Sequence, residues 1–377
     1  MGNGADALSA ETSGFEVDAL VYGATGFAGG ALAEALAKSG QRVRAMVRPT
    51  SDASRLESWG IEVVRGDLVS AEDVDASIRG ARLVYNLASP FRDANAGYNG
   101  NYDVHVNGTN YILDSSRKHD VERVVNCTTA GVHGHNLEIP CNEDSPFNPG
   151  DEYQVTKLEG EEIFRAAMAD GFPGVVVRPA SMYGIGDLRM LKMYRLIQTG
   201  KWRMVGSGKV WNHPCYVDDL TLGFRLCGEH PDAVGGTYIT GGPDPIYLND
   251  YADLVADAVG VPRPTKRVPL APVLAASHVC QAICKPLGID PPLHPRRVHF
   301  FTHDRNFDIG RATREIGFVP QVTTAQGVLA TADWYFDEGH LEGEKPERTP
   351  EQLAELAHVA AAHEAVLAPD IVPAPSP

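Results

Sequence analysis

The chain predicts an α/β fold, a doubly wound parallel sheet with a smaller C-terminal substrate-binding region. Three observations carry this. Short apolar strands alternate with helix-length segments through the first half, the pattern of right-handed βαβ units. A glycine-rich turn joins the first strand to the first helix. After residue 185 the alternation loosens and proline, glycine and aromatic residues become more frequent.

Taken in order, Val17 to Tyr22 is a short apolar strand. Gly26 to Ser39 has apolar residues at helical spacing and stops at Gly40. Val43 to Val47, Ile61 to Val64 and Leu83 to Leu87 read as strands two to four. Tyr98 to His119 is a long helical stretch, and Val121 to Cys127 is strand five. Glu152 to Ala169 is a helix that leads through Gly171 and Pro173 into Val175-Val176-Val177. Strand signals at Tyr216-Val217 and Thr237 to Thr240 are candidates to rejoin the sheet. At Thr349 an N-cap, a proline in the first helical position and Gln352 open a last helix, followed by a Pro-rich, disordered tail. The expected organisation is a flexible tail (1–14), a dinucleotide-binding domain (15–185), a mainly substrate-binding region (186–346) and a C-terminal helix and tail (347–377).

Composition narrows the function. The 377 residues are 43% hydrophobic and 22% charged, ordinary for a globular domain. A net charge of −16 repels phosphate backbones, which argues against nucleic acid as a partner. The six cysteines form no C-x-x-C pair and read as reduced, mostly buried thiols. The N-terminus has no basic start followed by an apolar run, so no targeting signal is read there. Val268 to Cys284 is the longest candidate membrane segment, but Pro272, His278 and Gln281 interrupt it. It reads instead as an amphipathic helix over a pocket, which leaves a cytoplasmic protein with no stable membrane insertion. His133 and His135 flank Gly134, and His294, His299 and His303 cluster later. None of them shows a carboxylate-supported ligand pattern, so no metal is expected.

The turn after the first strand reads Gly23-Ala24-Thr25-Gly26-Phe27-Ala28-Gly29. Glycines at 23, 26 and 29 let the backbone approach a pyrophosphate. The helix that follows offers free N–H groups and its positive dipole end, which together make a Rossmann-type cofactor site. At the end of strand two an acid would mark NAD, but Arg48 stands there. A guanidinium suits a 2′-phosphate, so NADP is favoured and NAD is the alternative. Asp67 and Leu68, after strand three, are placed to meet adenine. Asn86 and Ala88, at the end of strand four, are placed along the ribose-phosphate path.

Tyr153 and Lys157 form a Y-x-x-x-K pair on one helix face. A tyrosine is a poor base at its unperturbed pKa of about 10. A nearby ammonium favours the phenolate, so the phenol can exchange a proton with a hydroxyl while hydride moves to or from a nicotinamide. Together with the glycine turn and Val124 to Gly134, this resembles the extended short-chain dehydrogenase/reductase family, also called the NAD-dependent epimerase/dehydratase family. The resemblance is nearest to the 3β-hydroxysteroid dehydrogenase and dihydroflavonol reductase branch. It implies that Thr129, 24 residues before Tyr153, holds the substrate oxygen. It implies that Asn107, in Val106-Asn107-Gly108-Thr109, supports the lysine through water. Pro179 and Ser181, in Arg178 to Gly184, would contact the nicotinamide amide, and Tyr216-Val217-Asp218-Asp219 resembles the family's V-D-D segment. His133 replaces the more usual tyrosine.

Three readings follow from the resemblance: a dehydrogenase or reductase of a secondary alcohol or ketone, a nucleotide-sugar epimerase or dehydratase, and a non-catalytic NADP-binding regulator. The third normally lacks the Tyr or Lys. Sugar enzymes of the family often carry an arginine five residues before V-D-D, where this chain has Asn212. Phe300, Phe301 and Phe307 add aromatic surface for an apolar substrate, whereas Arg296, Arg297 and Arg305 keep a phosphate reading open. The resemblance also implies a homodimer through the Tyr98–His119 and Glu152–Ala169 helices.

Overall fold

The computed structural model describes residues 14–90, 97–284, 293 and 298–371. Most of the N-terminal tail (1–13), His294, Arg296, Arg297 and the last six residues lie outside the described residues.

The first half runs β1 (Val17–Tyr22), α1 (Phe27–Lys38), β2 (Val43–Val47), α2 (Ser54–Ser58), β3 (Glu62–Arg65), α3 (Ala71–Ile78) and β4 (Ala81–Asn86). It continues with α4 (Gly97–Tyr102), α5 (Gly108–Lys118), β5 (Arg123–Cys127), α6 (Glu152–Ala169) and β6 (Gly174–Pro179). A single π-helical turn, Asp103–Asn107, joins α4 to α5 and interrupts the long helix read from the sequence. The second half holds β7 (Ser181–Tyr183), α7 (Leu191–Gln198), β8 (Met204–Val205), β9 (Trp211–Asn212), β10 (Pro214–Tyr216), α8 (Val217–Glu229) and β11 (Thr237–Thr240). After these come β12 (Ile246–Tyr247), α9 (Leu248–Ala258), β13 (Arg267–Val268), α10 (Leu270–Cys284), α11 (Gly310–Ile316), α12 (Thr324–Asp337) and α13 (Pro350–Leu367).

Seven parallel strands form the central sheet in the order β11-β6-β5-β4-β1-β2-β3. Strand order reverses between β1 and β4, and a crevice at the carboxyl ends of such strands is where doubly wound sheets bind ligands. Side chains alternate across the sheet. Leu20 and Tyr22 join Ile112, Phe164 and Val176 on one face. Ala19 and Val21 join Leu32, Leu36 and Phe224 on the other. Each fully buried Leu, Ile, Val or Phe among them stabilises the fold by about 1.5–3 kcal/mol. A separate apolar cluster around Tyr194, Tyr251, Tyr335 and Val359 gives the C-terminal half its own core.

Of three segments to compare with the sequence reading, one meets it and two depart. Thr237–Thr240 does rejoin the sheet, as its seventh strand beside β6, so the sheet draws on chain beyond residue 185. Tyr216 belongs instead to a two-stranded pair with β7, and Val217 opens α8. Asp218 and Asp219 fall in the first turn of α8, where the helix dipole favours acids and ends the strand. Of the Val268 to Cys284 segment, Val268 ends β13 and Leu270–Cys284 is a helix, but the helix is not amphipathic. Apolar side chains surround it, only Ser277 is buried, and Val279 and Ile283 are each 59% exposed. Among the described residues, no helix is long and apolar enough to cross a membrane. All six cysteines are free, and four are buried.

Candidate active site

The glycine turn lies at the strand-order reversal. The Leu87 amide donates to the Tyr22 carbonyl at 3.1 Å, which seats the end of β4 against the end of β1. Gly23 has φ +81°, and a Cβ there would stand 2.8 Å from the Leu87 backbone, so no other residue fits without moving β4. Gly26 caps α1 in extended conformation and supplies no side-chain acceptor. The first-turn amides of α1 therefore lack a side-chain cap, and a pyrophosphate fits that set of donors. Thr25 and Phe27 flank this turn, and Gly29 packs inside α1.

Asp151 caps α6 by accepting from the Gln154 amide at 2.9 Å, which sets Tyr153 in the first turn. Lys157, one turn on, is buried. Its ammonium donates to the Cys127 carbonyl at 3.0 Å and the Ala88 carbonyl at 3.5 Å, at the ends of β5 and β4. An ammonium has three donors, so one is left for a ligand. Burial pushes this lysine down from its ordinary value. Thr129 is held extended at the end of β5, and its hydroxyl oxygen accepts from the Gly131 amide at 3.0 Å. That bond occupies a lone pair and leaves the Thr129 hydrogen to donate to a substrate oxygen.

Asn107 does not join this group. Its amide donates to Asp103 at 3.0 Å on its own helical turn. The site is met from this turn by His105, which sequence reasoning missed. Two residues apart on a helical turn point to nearly opposite sides, so only one of the two can face α6. His105 is buried and edge-on to Tyr153, with ring centroids 5.5 Å apart. Burial, then the Lys157 charge, holds its imidazole down at about 2, so it is neutral. The Thr156 hydroxyl spends its hydrogen on the Glu152 carbonyl at 3.0 Å. His105 Nδ1 at 3.0 Å must then donate to Thr156, and Nε2 must accept from Ser89 at 3.1 Å. Gly160 allows the close approach, since a Cβ there would lie 2.1 Å from the His105 carbonyl oxygen. The visible signal was a histidine between two valines on a helical face. Beside it is a cavity of about 10 Å³ lined by Asn86, Ala88, His105, Asn126 and Lys157, which is room for a single water.

The remaining predicted residues surround this centre. The Asn86 amide donates to Asn126 at 2.9 Å across the ends of β4 and β5. Asp67 accepts from the Val69 amide at 3.3 Å in the turn after β3, and Leu68 is buried against α5. Arg48 is exposed at the end of β2. Arg65, at the end of β3, donates to the Arg48 and Ser51 carbonyls at 3.3 and 2.6 Å, which sets its guanidinium against the backbone that follows β2. Pro179 ends β6, and the Ser181 amide donates to the His213 carbonyl at 3.0 Å as β7 begins.

Under the site lies a buried ion pair. Arg178 and Glu161 are both wholly shielded, with Arg178 Nε 3.1 Å from each carboxylate oxygen. Thr128 donates to Glu161 at 2.7 Å, and Arg178 donates to the Glu143 carbonyl at 2.8 Å and to His133 Nε2 at 3.2 Å. His133, whose imidazole burial and then the Arg178 charge hold below its ordinary value, accepts from the arginine. His135 and His303 come within 5.3 Å, and His303 stacks on His299 at 4.1 Å. Among the described residues, no group of three His, Cys, Asp or Glu side chains could hold a metal ion.

A parallel sheet with a glycine turn at its reversal and a tyrosine–lysine helix beside it defines a dinucleotide-binding oxidoreductase. The profile of the NAD dependent epimerase/dehydratase family matches residues 19–241, and the chain belongs to that family of NAD-dependent enzymes. It is 26% identical over 317 residues to a 4-hydroxy-2-methyl-3-oxo-4-farnesyl-3,4-dihydroquinoline-1-oxide ketoreductase of Stigmatella aurantiaca, covering 82% of this chain and 94% of that one. It is 26% identical to 3beta-hydroxysteroid-dehydrogenase/decarboxylase isoform 1 of Arabidopsis thaliana, covering 78% of this chain and 70% of that one. Among solved structures, the UDP-glucose 4-epimerase of Thermotoga maritima superposes with a TM-score of 0.70 at 18% identity. That superposition covers 85% of this chain and 99% of the epimerase and shows a shared fold.

Proposed function

We propose that this enzyme is an NADP-dependent dehydrogenase or reductase of a secondary alcohol or ketone carried on an apolar skeleton. The observation that carries the proposal is the placement of Tyr153 and Lys157 one helical turn apart, with Lys157 reaching the ends of both β4 and β5. When bound, the nicotinamide dinucleotide gives or takes the hydride. The glycine turn and the open start of α1 hold its phosphates, and the free Lys157 donor meets its ribose. Tyr153 moves the proton on the substrate oxygen, and Thr129 donates a hydrogen bond to that same oxygen. His105 holds the start of α6 through Thr156.

The apolar skeleton is supported by the neutral Asn212, which is buried and cannot make a charged bidentate clamp on a diphosphate. The ketoreductase and hydroxysteroid relatives point the same way. Thermal-shift measurements with NADP present, comparing steroid and aryl ketones with UDP, dTDP and GDP sugars, test the substrate class. The ketones are expected to stabilise the protein. A large stabilisation by a nucleoside diphosphate, lost in Arg305→Ala, would replace this reading by an epimerase or dehydratase.

NADP is proposed over NAD because the exposed Arg48 follows β2, where an acid would bond the ribose hydroxyls of NAD, and the Arg65 guanidinium is held against the same stretch of backbone. Charged hydrogen bonds of this kind make Arg48→Ala weaken NADP by about 10- to 100-fold while NAD is little changed. Titration of both cofactors against both proteins checks this, and equal affinity of the unaltered protein for the two would sink it.

A further inference from the structure

The chain's 49 acids are unevenly spread. None falls within residues 188–217 and none within 258–284, and both stretches carry lysines and arginines. The fold joins the two. β13 lies parallel to β8, with Arg267 opposite Met204. The Met204 amide donates to the Lys266 carbonyl at 3.0 Å, and the Gly206 amide to the Val268 carbonyl at 2.9 Å. This register sets Lys266 next to Arg203. Five cations, Lys201, Arg203, Lys209, Lys266 and Arg267, are thereby gathered around one short ribbon, and all five are exposed.

Their charge is not compensated locally. Among the described residues none of the five forms an ion pair, and Arg203 and Arg267 donate to backbone carbonyls instead. The three acids of α9, Asp250, Asp253 and Asp257, act on Arg263, which pairs with the last two.

The helix α10 leaves directly from this ribbon and has no charged residue in its 15 positions. Ser277 is buried and seats one side of it on the protein. The other side exposes Pro272, Ala275, Ala276, Val279, Ala282 and Ile283, which recur at helical spacing as one apolar row. A helix of this length spans about 22 Å, short of a hydrocarbon core of about 30 Å. It can lie on a bilayer but not cross one.

Charge and apolarity together select the occupant. A nucleic acid offers phosphates but no apolar phase. A second copy seated on the same face would bring its own five cations against these. An anionic bilayer offers head groups to the ribbon and hydrocarbon to the helix. The chain's net charge of −16 does not prevent this, because salt screens charges farther off than about 8 Å.

We propose that α10 and the β8–β13 ribbon form a surface that docks reversibly on an anionic lipid bilayer, with the apolar row in the interface and the five cations over the head groups.

The test is co-sedimentation of the full chain with vesicles of phosphatidylcholine alone and with about 30% phosphatidylglycerol added. The protein is expected to bind the anionic vesicles and not the neutral ones, and to release as salt rises from about 0.15 to 0.5 M. Lys266→Gln with Arg267→Gln should weaken binding about fivefold for each cation removed. Val279→Ser with Ile283→Ser should weaken it about tenfold or more, because the helix loses its larger apolar side chains. All four positions are exposed, so both double variants should melt as the unaltered protein does. Equal binding of the unaltered protein to the two vesicle types, binding to neither, or unchanged binding in either folded double variant would overturn the proposal. A dimer in sedimentation equilibrium that Val279→Ser with Ile283→Ser abolishes would overturn it too, and would give the face to a second copy.

Discussion

Tyr153→Phe is expected to lower turnover by about 10²–10⁴-fold, the usual contribution of a positioned acid or base. Dinucleotide affinity should stay nearly unchanged. The change removes only the phenol hydroxyl, and the proposed phosphate donors lie on α1, across the sheet from it. Tyr153 sits in the first turn of a helix capped by Asp151, and its ring meets the edge of His105, so the phenylalanine ring should take the same place. Steady-state rates beside cofactor titrations separate the two effects. A protein that keeps more than half its activity would remove Tyr153 from the mechanism. Lys157→Ala should instead impair both quantities, because its ammonium bridges the ends of β4 and β5 and, on the proposed function, would offer its third donor to the cofactor.

Arg178→Met is expected to destabilise the protein by about 3–5 kcal/mol, the effect of leaving one member of a buried pair alone. Glu161 would keep the Thr128 hydrogen bond but lose every contact with the guanidinium. His133 and the Glu143 carbonyl would lose a donor as well. Changing both partners, Arg178→Met with Glu161→Met, should recover much of the loss, since paired charges in a core can be exchanged for apolar side chains at little net change. Chemical denaturation of the two single variants and the double variant measures the coupling. Equal stability of Arg178→Met and the unaltered protein would show that the pair does not hold the fold.

The pair also shows the limit of reading along the chain. Arg178 was visible as part of a segment leading out of β6, and Glu161 as one acid on a helix. Nothing in their local spacing says that they meet 17 positions apart in a dry interior. His105 and Asn107 make the same point within one helical turn. Both are polar residues among valines, and motif resemblance favoured Asn107. The π-helical turn and its packing on Gly160 present His105 to α6 and leave Asn107 to its neighbour Asp103.

What the sequence by itself determined is therefore the part encoded over short distances. The first five strands, the glycine turn, the spacing of Tyr153 and Lys157 and the capped start of α13 each depend on a few consecutive residues. Periodicity, φ preference and N-cap chemistry act on that scale. The tertiary structure alone decided which distant segments meet. It fixed the place of Thr237–Thr240 beside β6, set the Arg65 guanidinium on the Arg48 backbone, and buried Arg178 against Glu161. Those outcomes depend on close packing between elements far apart in the chain, whose sum no local window contains.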